Sequence, residues 1–429
     1  VFAGTLNLSG PLVIEVDAVG ERTLLAEIAR LVETAEQGGG RYVAIADRVA
    51  RLYAPVVHTA AASTFLGWWL LASASWQTSL LNGIAVLIIT CPCALALAVP
   101  VVHVIATGRL LRQGILVKSA TALERLAAVD TIVFDKTGTV TEGRAELVDP
   151  FRFRSGDLGF AAAIAEGSRH PLARALVRAA ESAGVRGIPC RSVREIAGCG
   201  LESDGPVGPV RLGNRRFCHV VEDGDGDGPE LWLAKPGEPP LRFPFLDPPR
   251  VDAGAVVSLL KSQGYHLAIA SGDREATVAK IAGAVGIDTW QSGMSPADKC
   301  RTLQSLTAAG RTVLMVGDGL NDAPALAAAA ASISPSTAVD LAQTSADVVF
   351  QGARLAAVAE TLMVAGRAMT LIRQNFALAF LYNAVTVPIA VAGLVTPLVA
   401  AIAMSASSLL VIANAFRLAR GRPWTSSST

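Results

Sequence analysis

Charge is scarce in this sequence: 17% of the 429 residues are Asp, Glu, Lys or Arg, while 52% are apolar. Ordinary soluble domains carry about 25% charged residues, so a plain soluble enzyme is disfavoured and a hybrid of membrane and soluble parts is expected. Net charge is +1 and aromatics make up 5%. With no basic stripe interleaved with aromatics, a nucleic-acid partner is not expected. Cysteine is also sparse, at six, with no disulfide-framework spacing. Cys91 and Cys93 lie in an apolar run, and Cys190, Cys199, Cys218 and Cys300 are scattered. Those four read as small buried thiols in a reducing compartment. No signal peptide opens the chain. It starts at Val1 inside what reads as a strand, so a preceding part of the same protein is expected. The length is too great for one compact core.

What the sequence does have is four apolar segments of bilayer length, in two pairs. The first pair covers Leu52–Ala74 and Ser79–Thr107, the second Ile372–Val395 and Leu398–Phe416. The links within the pairs, Ser73–Thr78 and Thr396-Pro397, carry no Lys or Arg. The outer flanks carry Arg48, Arg51, Arg109, Arg112, Lys118, Arg367, Arg373, Arg417, Arg420 and Arg422. The positive-inside rule then places those flanks, and everything between the pairs, in the cytoplasm.

Between the pairs, Ile132-Val133-Phe134 is an apolar run ending in Asp135, as a buried parallel strand should read. Similar runs recur at 266–270 and 312–316, each followed by a Gly/Asp turn and helical sequence. This is the pattern of a doubly wound α/β domain, in which chemistry gathers at the carboxyl ends of the strands. Asp135, Ser271-Gly272-Asp273 and Gly317-Asp318-Gly319 should therefore converge. Residues from Pro150 to Phe245 interrupt the pattern and read as an inserted domain.

Asp135-Lys136-Thr137-Gly138-Thr139 is the most specific signal. A carboxylate at a strand end can attack a phosphoryl group and form an acyl phosphate. Asp318 with Asp135 is suited to hold Mg²⁺, with Asn321 and Asp322 completing the acidic edge. Lys299 supplies a fixed positive charge and Ser271 a hydroxyl for the phosphate. The acidic run Asp223–Gly228 has the opening spacing of a calcium loop, but Ala234 stands where a bidentate Glu is needed. It reads as a hairpin tip.

Cys91-Pro92-Cys93 interrupts the second apolar segment. Residues two apart on an intact helix point to different sides; Pro92 breaks the turn and lets both sulfurs approach one point. Ligating groups at membrane depth are costly and usually functional. Thiolates select Cu⁺, or Zn²⁺ and its heavier relatives. The last two segments offer Tyr382, Asn383, Met404, Ser407 and Ser408 and no Asp, Glu or Lys, a donor set suited to a monovalent soft ion.

The motifs resemble the haloacid-dehalogenase-like phosphotransferases and, within them, the P-type ATPases, with Ser271-Gly272-Asp273 in place of the usual TGD. The resemblance implies that Lys136, Thr137, Gly272 and Asp273 act with Asp135, and that Thr137 joins Asp135 and Asp318 around Mg²⁺. Phosphatases of this group commonly carry a second Asp at the position of Thr137, which favours a pump over a membrane-tethered phosphatase. Ser168-Arg169-His170-Pro171, Gly198-Cys199-Gly200 and Gly213-Asn214 resemble the nucleotide-binding domain of the metal-transporting branch. That implies ATP contacts from Glu166, His170, Gly198, Gly200 and Asn214, with Arg169 in place of the usual acid.

The Cys-Pro-Cys run, Tyr382-Asn383 with Pro388, and Met404 to Ser408 resemble the Cu⁺ branch. Cys91, Cys93, Tyr382, Asn383, Met404 and Ser408 are thereby implied as metal ligands, with a cytosolic copper chaperone as partner. A Zn²⁺/Cd²⁺ pump of the same class is the alternative. Ser332–Ser336 replaces a glycine-rich segment, as in the bacterial group supplying copper to haem-copper oxidases.

The expected fold is a membrane α-helical bundle plus a haloacid-dehalogenase-like α/β domain, a doubly wound parallel sheet, with an inserted α+β nucleotide-binding domain. The expected divisions begin with the end of an actuator domain at 1–40, resembling it through Phe2 to Asn7. The Cys-Pro-Cys helix pair follows at 41–117. The phosphorylation domain occupies 118–149 and 247–350 around the nucleotide-binding domain at 150–246. The second helix pair is 351–420, and the tail 421–429. The sequence holds no Thr-Gly-Glu loop and no Cys-x-x-Cys metal-binding module, so this chain alone should phosphorylate without cycling.

Overall fold

The computed structural model describes residues 55–168, 170–186, 191–196, 198–205, 208–220, 228–318, 322–335 and 346–420. The expectations for Phe2–Asn7, Arg169, Cys190, Asp223–Asp227, Asn321, Ser336 and the tail 421–429 therefore lie outside the described residues.

The membrane-facing elements come first. Helix α1 (residues 55–66) widens into a looser turn over Gly67–Leu71. A short link leads to α2 (Trp76–Ile89), whose first turn is capped by the Ser75 hydroxyl accepting from Thr78 N–H. The apolar run then breaks twice. Helix α2 stops before Cys91-Pro92, α3 occupies only Cys93–Leu97, and α4 starts at Pro100 and runs to Leu111. The second break is a difference from the single segment expected over 79–107. Proline at the first helical position satisfies the new start because it has no N–H to leave unpaired.

The soluble elements follow in the order β1 (Ile115–Val117), α5 (Ala120–Ala127) and β2 (Thr131–Phe134), with β3 (Glu146–Leu147) opening the insertion. The insertion continues through α6 (Ser155–Ala165), α7 (Pro171–Ser182), β4 (Arg191–Ile196), β5 (Gly200–Gly205), β6 (Gly208–Gly213), β7 (Glu230–Ala234) and β8 (Leu241–Leu246). The chain then resumes the first sheet with α8 (Ala253–Ser262), β9 (His266–Ala270), α9 (Glu275–Val285) and β10 (Thr289–Gln291). It ends the soluble part with α10 (Pro296–Ala308), β11 (Val313–Val316), α11 (Ala323–Ala328), β12 (Ala331–Pro335) and β13 (Val348–Phe350).

Two sheets result. The larger has the order β1-β13-β12-β11-β2-β9-β10 and is parallel except for β1, which pairs antiparallel with β13 at one edge. Strands β2 and β11 are buried at every position and apolar at all but Thr131, because helices cover both faces of a parallel sheet. The insertion is a six-stranded antiparallel sheet, β3-β8-β7-β6-β5-β4, covered by α6 and α7.

The last elements are α12, 36 residues from Ala356 to Val391, and α13 (Pro397–Ala415). Among the described residues three helical stretches are long and apolar enough to cross a bilayer: Trp76–Leu111, Ala356–Val391 and Pro397–Leu418. The first expected segment appears as α1, whose preceding residues are not described. One apolar core runs unbroken from the large sheet, through Phe134, Val316 and Phe350, to the bases of α4, α12 and α13 at Leu110, Ile372 and Ala415. The insertion has a core of its own around Phe243, Leu176 and Ile164.

Candidate functional site

Three parallel strands deliver the acidic cluster. In the register of the sheet Phe134 lies beside both Val316 and Ile269, so β2 and β11 end level and β9 ends one residue further out, at Ala270. Asp135, Gly317-Asp318 and Ser271 are the next residues out. The Asp135 N–H still donates to the Val316 carbonyl at 2.8 Å, which fixes the start of its turn on the sheet.

Asp135 is 6% exposed. Its Oδ1 accepts from Lys299 Nζ at 2.5 Å, and the same ammonium donates to Asp322 Oδ1 at 2.6 Å. Lys299 reaches this point from the first turn of α10, whose start is fixed by a reciprocal cap between Ser295 and Asp298. Asp135, Asp318 and Asp322 offer carboxylate oxygens within 4.8 Å of one another. Burial, then the charge of Asp322, pushes Asp135 up to about 7, against the pull of Lys299. Burial and Asp322 likewise push Asp318 up to about 6. Attraction to Asp135 and Asp322 outweighs burial for Lys299 and raises it. Three carboxylates against one ammonium leave excess negative charge in a dry site. That donor set, all hard oxygen with unrelieved charge, fits Mg²⁺.

The other expected residues surround this cluster. Lys136 is buried and ion-pairs with Asp273. Ser271 is buried and its Oγ accepts from the Asp273 N–H at 3.2 Å. A side chain at Gly272 would meet the Met294 carbonyl at 3.3 Å. Thr137 is exposed at the tip of the turn. Asp247 was passed over in the sequence. Its Oδ2 accepts from Thr141 Oγ1 at 2.5 Å, and burial raises its carboxyl while Lys136 opposes the rise. The paired prolines after Asp247, which stiffen the return from the insertion, are the signal that marks it. Asp247, Lys136, Asp273, Arg274 and Lys280 share a cavity of about 490 Å³ between the insertion and α9.

A second cavity, of about 300 Å³, lies in the insertion. His170, Gly198, Gly200 and Asn214 line it, together with Ser168 and Ile196. His170 caps α7, its Nδ1 accepting from Leu172 N–H at 3.3 Å. Gly200 has a φ of 153°, and a Cβ there would lie 2.3 Å from the Leu212 carbonyl, so only glycine permits this approach of β5 to β6. Glu166 is exposed at the end of α6 and is not among the residues that line the cavity. Cys300 and Cys199 depart from the buried setting expected of the scattered thiols, and Cys218 does not. Cys218 is buried and donates to the Trp232 carbonyl, Cys300 is half-buried, and Cys199 is exposed at the cavity.

In the membrane part, the break at Pro92 leaves Cys91 and Cys93 half-buried with their thiols close enough to hydrogen-bond. Tyr382 lies within electrostatic reach of Cys91 and packs on the cluster formed by Val86, Ile89 and Ala390. Asn383 Nδ2 donates to the Ala379 carbonyl at 3.0 Å. Tyr382 Oη and Asn383 Oδ1 are buried with no hydrogen-bond partner among the described residues. Buried polar atoms are ordinarily paired, so the unpaired Asn383 Oδ1, one residue from the Tyr382 that reaches Cys91, leaves an acceptor free for a ligand. Met404 and Ser408 are half-buried on α13, where Ser408 Oγ donates to the Met404 carbonyl at 3.4 Å and Ser407 is buried. Arg109, one of the basic flank residues, does not face solvent. It is buried at the base of α4, with Nη2 donating to Glu360 Oε1 at 2.6 Å and Nη1 to the Leu418 carbonyl at 2.9 Å.

Residues 129–330 match the haloacid dehalogenase-like hydrolase family. The chain is 48% identical over 422 residues to the nitrogen fixation protein FixI of Rhizobium leguminosarum bv. viciae, covering 97% of this chain and 55% of that protein. It is 36% identical over 437 residues to the "Probable copper-exporting P-type ATPase V" of Mycobacterium tuberculosis, covering 98% and 57% respectively. The chain thus spans about half the length of these curated relatives. Among solved structures, a zinc-transporting PIB-type ATPase in its E2.Pi state superposes with a TM-score of 0.74 at 30% identity, covering 95% of this chain and 69% of that one.

Proposed function

Since the chain belongs to the PIB-type ATPases, we propose that it carries the phosphorylation, nucleotide and metal sites of a pump that exports Cu⁺ from the cytoplasm at the expense of ATP. The carrying observation is Asp135, held at the end of β2 by Lys299 and crowded by Asp318 and Asp322. In the reaction, a carboxylate oxygen of Asp135 attacks the γ-phosphorus of ATP. The bond from that phosphorus to the β–γ bridging oxygen breaks, and ADP leaves with the electron pair.

The adenosine end is read as lying in the insertion cavity, against His170, Gly198, Gly200 and Asn214. Glu166 stands outside that cavity, so its contact with ATP is left to closure of the insertion. The triphosphate then reaches Asp135 through the cavity beside α9, where Lys136, Arg274 and Lys280 supply positive charge. Lys299 favours the ionised form of Asp135 for attack, and Ser271 presents a hydroxyl to the transferred group. Gly272 keeps the backbone close there, and Asp273 holds Lys136. Asp135, Asp318 and the Thr137 carbonyl would hold Mg²⁺, with Asn321 and Asp322 at the edge; when bound, it neutralises charge on the transferring phosphoryl group. Thr137 has no proton-accepting carboxylate, which speaks against a phosphatase.

For the cargo, Cys91 and Cys93 supply soft donors, and Tyr382, Asn383, Met404 and Ser408 supply neutral ones. A site of this composition favours a monovalent soft ion over Zn²⁺, which would want a further anionic ligand. Delivery by a cytosolic copper chaperone, and use of the metal in haem-copper oxidase assembly, complete the reading. The latter rests on the replacement at Ser332–Ser336.

The test is ATP hydrolysis by the full-length protein against a panel of metals, with acid-stable labelling from γ-labelled ATP. Cu⁺ should stimulate, and Asp135→Asn should abolish the label. Stimulation by Zn²⁺ alone would overturn the cargo, and label surviving Asp135→Asn would overturn the nucleophile.

A further inference from the structure

Two charged residues at the end of the insertion tie the Asp135 turn to the longest helix. Arg250 is 5% exposed. Its guanidinium donates through Nε to the Thr139 carbonyl at 2.7 Å and through Nη2 to the Gly138 carbonyl at 2.6 Å. Its third arm, Nη1, reaches the Gly352 carbonyl at 3.4 Å, in the loop just ahead of α12. The Arg250 N–H donates to the Val140 carbonyl at 2.9 Å.

Asp252 is also buried. Although it precedes α8, its carboxylate does not cap that helix. Instead Oδ1 accepts from Leu355 N–H at 3.0 Å and Oδ2 from Ala356 N–H at 2.8 Å, so both oxygens serve the start of α12.

The physical consequence is a rigid connection. A guanidinium presents its N–H groups at fixed angles, so the carbonyls of residues 138, 139 and 352 are held at one spacing. A carboxylate at a helix start satisfies N–H groups that otherwise lack partners and lies well in the helix dipole. The turn held by Arg250 has no slack on its other side, since a Cβ on Gly138 would meet Asp318 Oδ2. The turn is therefore wedged between the acidic cluster and Arg250. From Ala356 the helix runs on without interruption past Tyr382 and Asn383, about 40 Å at 1.5 Å per residue.

We propose that Arg250 and Asp252 are positioning residues forming a clamp, through which the state of the Asp135 turn sets the position of α12 and the membrane ligands it carries. The inference rests on the reading of Asp135 as the phosphorylated residue and of the thiol site as its metal site. By the reciprocity of coupled sites, metal at the thiols must then act on the Asp135 turn through the same clamp.

The experiment uses the full-length protein in membranes and reads acid-stable label from γ-labelled ATP, with and without Cu⁺, beside ATP affinity. The variants are Asp252→Asn, which keeps shape but loses one acceptor, and Arg250→Lys, which keeps charge but loses the fork. Either variant with unchanged ATP affinity suffices. In the unaltered protein, Cu⁺ raises the label and Cys93→Ser removes that rise. In the clamp variants label still forms, but the ratio of label with to without Cu⁺ falls about tenfold or more toward one, and adding Cys93→Ser changes nothing further. A merely structural role would lower label in both conditions alike. A retained Cu⁺ ratio in both variants overturns the clamp, as does loss of all label while ATP still binds. Label independent of Cu⁺ in the unaltered protein overturns the transport reading, and the clamp with it.

Discussion

At Gly138 the chain turns through a φ of 69°, and a Cβ built there would sit 1.5 Å from Asp318 Oδ2. A methyl group would have to displace either the acid or the turn. Misplacement of reacting groups by about 1 Å costs about a hundredfold in rate. Gly138→Ala should therefore lower the phosphorylation rate by about that factor or more while ATP affinity is unchanged, as rapid-quench labelling would read. The carboxyls beside it give a pH prediction. Asp135 and Asp318 have ordinary values of 3.8 and are pushed to about 7 and about 6 in the fold. Their contribution to stability is full below the ordinary value and is lost as pH rises through the folded values. Mg²⁺ binding relieves that loss at high pH and competes with protons at low pH. The rise in melting temperature caused by Mg²⁺ should then be large at about pH 7.5 and small at about pH 5.5. A rise independent of pH would place the ion elsewhere. The residues of this cluster were legible because each ends an apolar run or opens a Gly/Asp turn. Asp247 was not, since its role comes from folding back onto Thr141, across 106 positions of sequence.

Among the elements, α4 and α12 are joined by an ion pair that hydropathy conceals. Arg109 and Glu360 have side chains only 5% and 4% exposed, and Gln113 Nε2 adds a second donor to Glu360 at 3.3 Å. Removing one partner leaves the other charge buried, at a cost of about 3–5 kcal/mol, whereas replacing both by apolar groups of similar size is often neutral. Glu360→Leu should therefore destabilise the detergent-solubilised protein strongly, and Arg109→Leu added to it should recover much of the loss. Two additive losses in thermal melts would mean the pair does not act as a unit. The sequence showed Arg109 only as a basic flank, because flank rules read position along the chain and the partner lies 251 residues away. The strands were more legible. His266–Ala270 is a strand over the very run of residues the sequence marked, with Leu267, Ile269 and Ala270 buried and His266 exposed at its start. The break at Pro100 was missed because the run stays apolar through it, and hydropathy does not register a lost backbone turn.

The whole molecule divides by its cores in a way that differs from its sheets and spans. Phe134, Val316 and Phe350 of the large sheet share one continuous core with Leu110, Ile372 and Ala415 at the bases of the membrane helices, whereas Phe243 and Leu176 belong to a separate core in the insertion. Two chain segments join the units, residues 141–146 and the stretch 247–250, where Thr141 and Asp247 meet. Residues that share a core open together, and those with separate cores open separately. Amide exchange on the full-length protein should show the large sheet and the cytoplasmic turns of α4 and α12 losing protection as one unit, and β4 to β8 as another. A nucleotide analogue bound in the insertion should protect that second unit by the free energy of its own binding, and Mg²⁺ alone should protect the first. If β2 and the base of α12 instead exchanged independently, the sheet would have no rigid hold on the helix that carries Tyr382 and Asn383. The aspartate at one end would then have no packed route to the helix that runs on toward the two sulfurs at the other.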